Sequence, residues 1–333
     1  MTERSERGGS HRDDRGGRGH RGGGDRGYRG GHGGGGRGYR DGAGGYRGGD
    51  RGRSRRVYDD EPRDGLLSDL VGHLHALDGR SYAAYKAIVG RYRAPAGWFL
   101  HIDRVQSDPY APPTRIHVDV PTDLHGLALL DEADLLADAD RRLAVGDFLT
   151  RELHAGFRGT ALSIASPGQE ILERSSVILR PDEQNEGAGW VLEIRARLAL
   201  PAQGRSIQGR EASRIVGRDL VRELEEATDL TGERGDRLVR HVATLEDHRA
   251  LRAAVARNGW VSFLADGAVL PRRSGVSDEP LDGGVPLQAP DSMAATVELP
   301  HAGSVRGTVV EAGVSVIVGG GYHGKSTLLS AIE

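Results

Sequence analysis

No stretch narrows the possible folds as sharply as residues 314–333, VSVIVGGGYHGKSTLLSAIE. Val314, Val316, Ile317 and Val318 form a β-branched apolar run between glycines, the pattern of a buried strand. Gly319, Gly320, Gly321, Tyr322, His323, Gly324, Lys325 and Ser326 then match G-x-x-x-x-G-K-[ST] at every fixed position. Leu328, Leu329 and Ile332 follow at helical spacing. Strand, glycine loop and helix start together define a P-loop, which belongs in an α/β fold.

The chemistry explains the residue types. Glycines let the backbone take positive φ and approach phosphate oxygens closely. The loop N–H groups form an anion nest at the positive end of a helix. Lys325 is expected to reach the β- and γ-phosphates of ATP as the catalytic cation, and Ser326 to hold Mg²⁺ through its hydroxyl. Thr327 adds a hydroxyl near the α-phosphate. The chain has only two lysines, Lys86 and Lys325, amid abundant arginine. A compact ammonium fits under a phosphate where a planar fork does not.

Charge divides the chain. Residues 1–56 carry 15 arginines against 7 acidic residues, a charge of +8, and the rest of the chain carries −11. Residues 15–56 are almost free of aliphatic side chains, too few to offset chain entropy, so disorder is expected over 1–60. Arginines in such a glycine-rich arm pair with phosphates, and interspersed tyrosines stack on bases. Arg15, Arg18, Arg21, Arg26, Tyr28, Arg29, Arg37, Tyr39, Arg40, Tyr46 and Arg47 are therefore candidate contacts to RNA or single-stranded nucleic acid. A solubilising tail without a specific partner is the alternative.

The intervening sequence reads as mixed α/β. Leu66, Leu67, Leu70, Leu74 and Leu77 recur at helical spacing, and 98–102 and 114–120 read as strands around a proline-rich turn. Residues 141–157 read as a helix, and strands are expected on both sides of the polar loop 181–189. Two amphipathic helices and three or four further strands then lead to the P-loop. His73, His75, His101 and His117 match no tight metal-ligand spacing and no acidic pair completes one, so no metal site is expected there. Asp103, Gln106 and Asp108 read as turn formers. Arg272 and Arg273 are either a solvated pair or a contact to phosphate or RNA. Cysteine is absent, no apolar run reaches membrane-spanning length and no signal peptide is visible, so a cytoplasmic, non-membrane protein is expected.

Several stretches in combination carry a family resemblance: LDGRSYAAYKAIVGRY, FLHIDRVQSDPYAPPTR, SPGQEILERSS, LPAQGRSIQGREA, WVSFLADGAVLPRRSGVSDEPL and VIVGGGYHGKSTLLSAIE. From about Asp64 to Glu333 the chain resembles the bacterial ATPases of the ABC class, a family that also includes a trypanosomatid mitochondrial RNA-editing accessory ATPase. The resemblance implies an N-terminal mixed α/β domain (61–165), then the beginning of an ABC-type nucleotide-binding domain (166–333), behind the disordered arm (1–60). It also implies a homodimer that sandwiches ATP. A Walker B carboxylate, a catalytic glutamate, a signature loop and a switch histidine would all follow the P-loop. The chain is thus expected to be a fragment that hydrolyses ATP poorly alone. Two functional readings stand: an ATPase whose nucleotide cycle changes its grip on RNA, and an RNA-binding or condensate protein with a non-catalytic P-loop scaffold. A small-molecule kinase shares the motif but usually places it near the N-terminus.

Overall fold

Alternation of buried and more exposed side chains, broken by the buried Val191 beside Leu192, builds the central sheet from three neighbouring segments. In Thr114–Pro121 the residues Thr114, Ile116, Val118 and Val120 are buried, while Arg115, His117 and Asp119 take the other face. Phe99–Arg104 buries Leu100 and Ile102. Trp190–Leu198 buries Leu192, Ile194, Ala196 and Leu198. Side chains alternate across a strand, so one face of each is apolar and the other polar. The computed structural model describes residues 63–183 and 189–333.

The elements run in this order: β1 (Arg63–Leu66), α1 (Leu67–Ala76), β2 (Gly90–Arg93), β3 (Phe99–Arg104), β4 (Thr114–Pro121), α2 (Leu129–Glu132), α3 (Ala139–Gly156), β5 (Leu162–Ser163), β6 (Val177–Pro181), β7 (Trp190–Leu198), β8 (Ala202–Gln203), β9 (Ser206–Ile207), α4 (Gly209–Arg214), α5 (Leu220–Thr228), α6 (Glu233–Arg257), β10 (Trp260–Ala265), β11 (Ala294–Leu299), β12 (Gly303–Glu311) and α7 (Lys325–Ile332). A π-helical turn, Ile215–Asp219, joins α4 to α5. The seven-stranded sheet is ordered β1-β2-β3-β4-β7-β5, with β6 also paired to β7. All its pairings are antiparallel except β1 with β2. Its apolar face and the buried sides of α1, α3, α5 and the first half of α6 share one core.

The expected division at 165/166 falls inside this sheet: β4 and β7, one on each side of it, pair residue for residue from Thr114–Leu198 to Pro121–Val191. A smaller antiparallel sheet, β10-β12-β11, follows. It is tied to α6 by the carboxylate of Asp247, which accepts hydrogen bonds from the backbone N–H of His301 and of Ala302, both at 2.9 Å. The helical and strand readings at 67–76, 99–104, 114–121 and 139–156 coincide with α1, β3, β4 and α3. The run between Leu162 and Val177 does not: it holds only the two-residue β5 before β6.

The strand expected at 314–318 does not form. These residues take irregular structure, with Val314 98% exposed and Val318 82%. A strand is held by ladder hydrogen bonds and by a layer over its apolar side chains, and no described strand pairs with this segment.

Candidate functional site

The glycine loop holds its shape without the strand. Gly324 caps α7 in the left-handed region (φ 77°), Gly319 lies at φ 155°, and Tyr322 sits at φ 62°, a conformation that side-chain-bearing residues seldom adopt. Lys325 folds back so that its Nζ donates to the carbonyl oxygen of Gly319 at 2.9 Å and to that of Gly320. The ammonium is thereby held against the loop's own carbonyls. The backbone N–H groups of Lys325, Ser326 and Thr327 bond no acceptor among the described residues; the first amide of α7 to do so is that of Leu328, to Gly324 at 2.9 Å. Orphan donors at a helix start, a lysine against the loop and open space around Gly321 and Gly324 fit a bound polyphosphate. His323 leans over Gly320, where an added Cβ would meet the ring at 3.1 Å. Tyr322 is fully exposed.

A second polar region lies on the open face of the large sheet. His101 and His117 are cross-strand partners, and their rings stack at 4.1 Å with 10° between planes. The Asp103 carboxylate bonds His117 Nδ1 at 3.0 Å. His101 Nε2 is 3.4 Å from Asp119 Oδ2, and Arg180 reaches the same carboxylate at 2.9 Å while also pairing with Glu193. Burial alone would raise the Asp119 carboxyl; the His101 contact and the Arg180 charge outweigh it and hold the group below its usual range. One donor atom from each of His101, His117 and Asp119 lies within 4.8 Å of the other two. The expectation that these histidines have no acidic complement is therefore corrected. The completing carboxylate comes from the sheet register, which linear spacing does not encode. The signal in the sequence was period-two alternation: His117 and Asp119 share one face of a strand, as His101 and Asp103 do of the next.

Beside this cluster is an open cleft of about 710 Å³ lined by Asp103, Arg115, His117, Ser163, Arg195 and Arg197 among others. Arg115 and Arg197 stand directly opposite each other on β4 and β7. Like charges so placed are destabilising, and neither guanidinium pairs with another described residue. Sequence reading did not single out this cleft.

The remaining candidates scatter. Asp108 is a turn former, its carboxylate accepting the Tyr110 N–H at 2.9 Å. Gln106 is buried, with its backbone N–H on Thr114 Oγ1. Asp103 is not just a turn former, since it orients His117. Arg273 is paired with Glu279 and Asp282. The arm residues Arg15, Arg18, Arg21, Arg26, Tyr28, Arg29, Arg37, Tyr39, Arg40, Tyr46 and Arg47 lie outside the described residues.

A glycine loop of this sequence opening a helix defines a P-loop nucleotide-binding protein. Residues 67–230 match the family model for the N-terminal region of ATPases of the ABC class, and residues 234–333 match the model for the P-loop domain of ABC ATPases. The chain belongs to the ATPases of the ABC class. The two matches meet at the start of α6, after the large sheet and its helices. A comparison with curated proteins finds no match. No helix among the described residues is long and apolar enough to cross a membrane.

Proposed function

We propose that this chain binds Mg·ATP through residues 319–327 and that its nucleotide cycle is coupled to RNA held by the arginine–glycine arm. The observation that carries the nucleotide half is the loop itself: Lys325 against the loop carbonyls, with the first amides of α7 unpaired beside it. Those amides and Lys325 take the β- and γ-phosphates, and Ser326 supplies a hydroxyl to Mg²⁺, which when bound neutralises charge on the phosphates. A homodimer closing over the nucleotide belongs to the same reading, as does a cytoplasmic location.

The RNA half rests on the arm's composition and on the Arg115–Arg197 pair. Two arginines paired across β4 and β7, without carboxylate partners among the described residues and on a body of net charge −11, favour an anion such as a phosphodiester. The arm's composition by itself would equally suit an RNA-binding or condensate protein in which the P-loop is only a scaffold.

The test titrates ATP with Mg²⁺ into the full chain and into Lys325→Ala, with circular dichroism reporting the fold. Loss of a charge-assisted contact of this kind costs roughly 1.5–3 kcal/mol, about ten- to a hundred-fold in affinity. A folded wild-type chain that binds no ATP would refute the nucleotide reading.

A further inference from the structure

We propose that His101, His117 and Asp119 form a binding site for a divalent metal ion of the zinc type, on the open face of the large sheet and separate from the P-loop. Three independent features converge on it.

The first is donor placement. The three side chains each offer one donor atom within 4.8 Å of the others. With metal–ligand distances near 2.1 Å, donors around a tetrahedral ion are separated by about 3.4 Å. The closure from there falls to the side chains, since the pairing of β3 with β4 fixes the Cα positions of all three residues.

The second is unmet bonding capacity. His101 Nε2, 3.4 Å from Asp119 Oδ2, and Asp119 Oδ1 are buried atoms that make no hydrogen bond among the described residues. Such atoms are costly to leave so, and they belong to two of the three ligating side chains. A metal ion between them would satisfy both.

The third is the surrounding support. Asp103 accepts a hydrogen bond from His117 Nδ1 at 3.0 Å, which leaves the other ring nitrogen, Nε2, as the one available to an ion. A carboxylate behind a histidine in this way is the usual orienting arrangement for a metal-bound imidazole. Arg180 takes Asp119 Oδ2 at 2.9 Å and is itself balanced by Glu193 at 2.9 Å, so the aspartate is positioned while Oδ1 remains free. Two imidazoles and a carboxylate, with no thiolate in the chain, suit Zn²⁺ or Co²⁺ rather than a hard ion held by oxygen alone.

The experiment titrates ZnCl₂ into the full chain, without nucleotide, by isothermal calorimetry, and repeats it with CoCl₂ followed by visible absorption. The expected result is one ion bound at micromolar affinity or tighter, weakened at least tenfold in His117→Ala and in the near-isosteric Asp119→Asn, and weakened about tenfold or more in Asp103→Asn, which acts only through His117. The arm's histidines are retained in every variant. Zinc binding unchanged in a folded His101→Ala/His117→Ala double variant would overturn the site, as would wild-type affinity no better than millimolar. Should the variants unfold, Co²⁺ broadening of histidine ring resonances in the wild-type chain decides: selective broadening of His101 and His117 supports the site, and broadening that spares them overturns it.

Discussion

Asp147 is fully buried on α3, and three basic side chains converge on its carboxylate: Arg151 at 2.7 Å, His241 at 3.0 Å and Arg174. Removing the charge while keeping the shape leaves two guanidiniums without their counter-ion. Asp147→Asn is therefore expected to cost about 3–5 kcal/mol of stability, read by urea denaturation. His241 is held neutral. Burial and the charges of Arg151 and Arg174 push it from 6.5 down to about 4. The unfolded chain then binds the extra proton first, so its stabilising effect is complete above about pH 6.5 and is lost as pH falls toward 4. Melting followed from pH 7.5 to 4 should show this loss, roughly 2 kcal/mol after allowing for partial exposure, and His241→Gln should flatten it. Lys325 is a contrasting case. Its role is readable from the motif, because the loop's chemistry is local and needs only eight consecutive residues. None of the Asp147 partners beyond Arg151 could be read that way, since Arg174 and His241 arrive through tertiary contacts.

At the level of elements, α1 and α4 meet closely enough that Gly209 is confined. A Cβ there would lie 2.3 Å from the Leu74 carbonyl oxygen and 2.6 Å from the Asp78 nitrogen, both backbone atoms. Gly209→Ala should destabilise by about 3 kcal/mol, checked by thermal or chemical denaturation, because neither helix backbone can yield cheaply. The Asp78 carboxylate also accepts the Gly209 N–H at 2.7 Å, fixing the start of α4. The leucine periodicity that becomes α1 and the alternation that becomes β3 and β4 were legible, because burying one face of an element imposes its own period. The run 314–318 shows where that logic stops. Its residues have strand propensity, but a strand exists only with a partner and a cover, and neither is supplied to this segment by the described residues.

Across the whole molecule, charge is split between a basic arm and an acidic body. On the proposed RNA reading, affinity for a single-stranded oligonucleotide should fall steeply with salt, and deleting the arm should remove most of that slope. In the full chain, Arg115→Glu/Arg197→Glu should by itself reduce the slope by about 1.4, two phosphate contacts at roughly 0.7 each, measured by fluorescence anisotropy at several ionic strengths. An unchanged slope in the double variant would remove the sheet face from the RNA path. The amino-acid sequence alone determined the P-loop, the periodic elements, the arm's composition and the ABC-class resemblance, because each depends on near neighbours or on residue counts. Only the tertiary structure decided the rest: the sheet that joins β4 to β7 across the 68 residues between Pro121 and Trp190, the His101–His117–Asp119 cluster and the arginine-lined cleft. Those depend on which strands become neighbours, and strand order is set by the shared burial of distant apolar faces, a property of the packed chain that no short stretch contains.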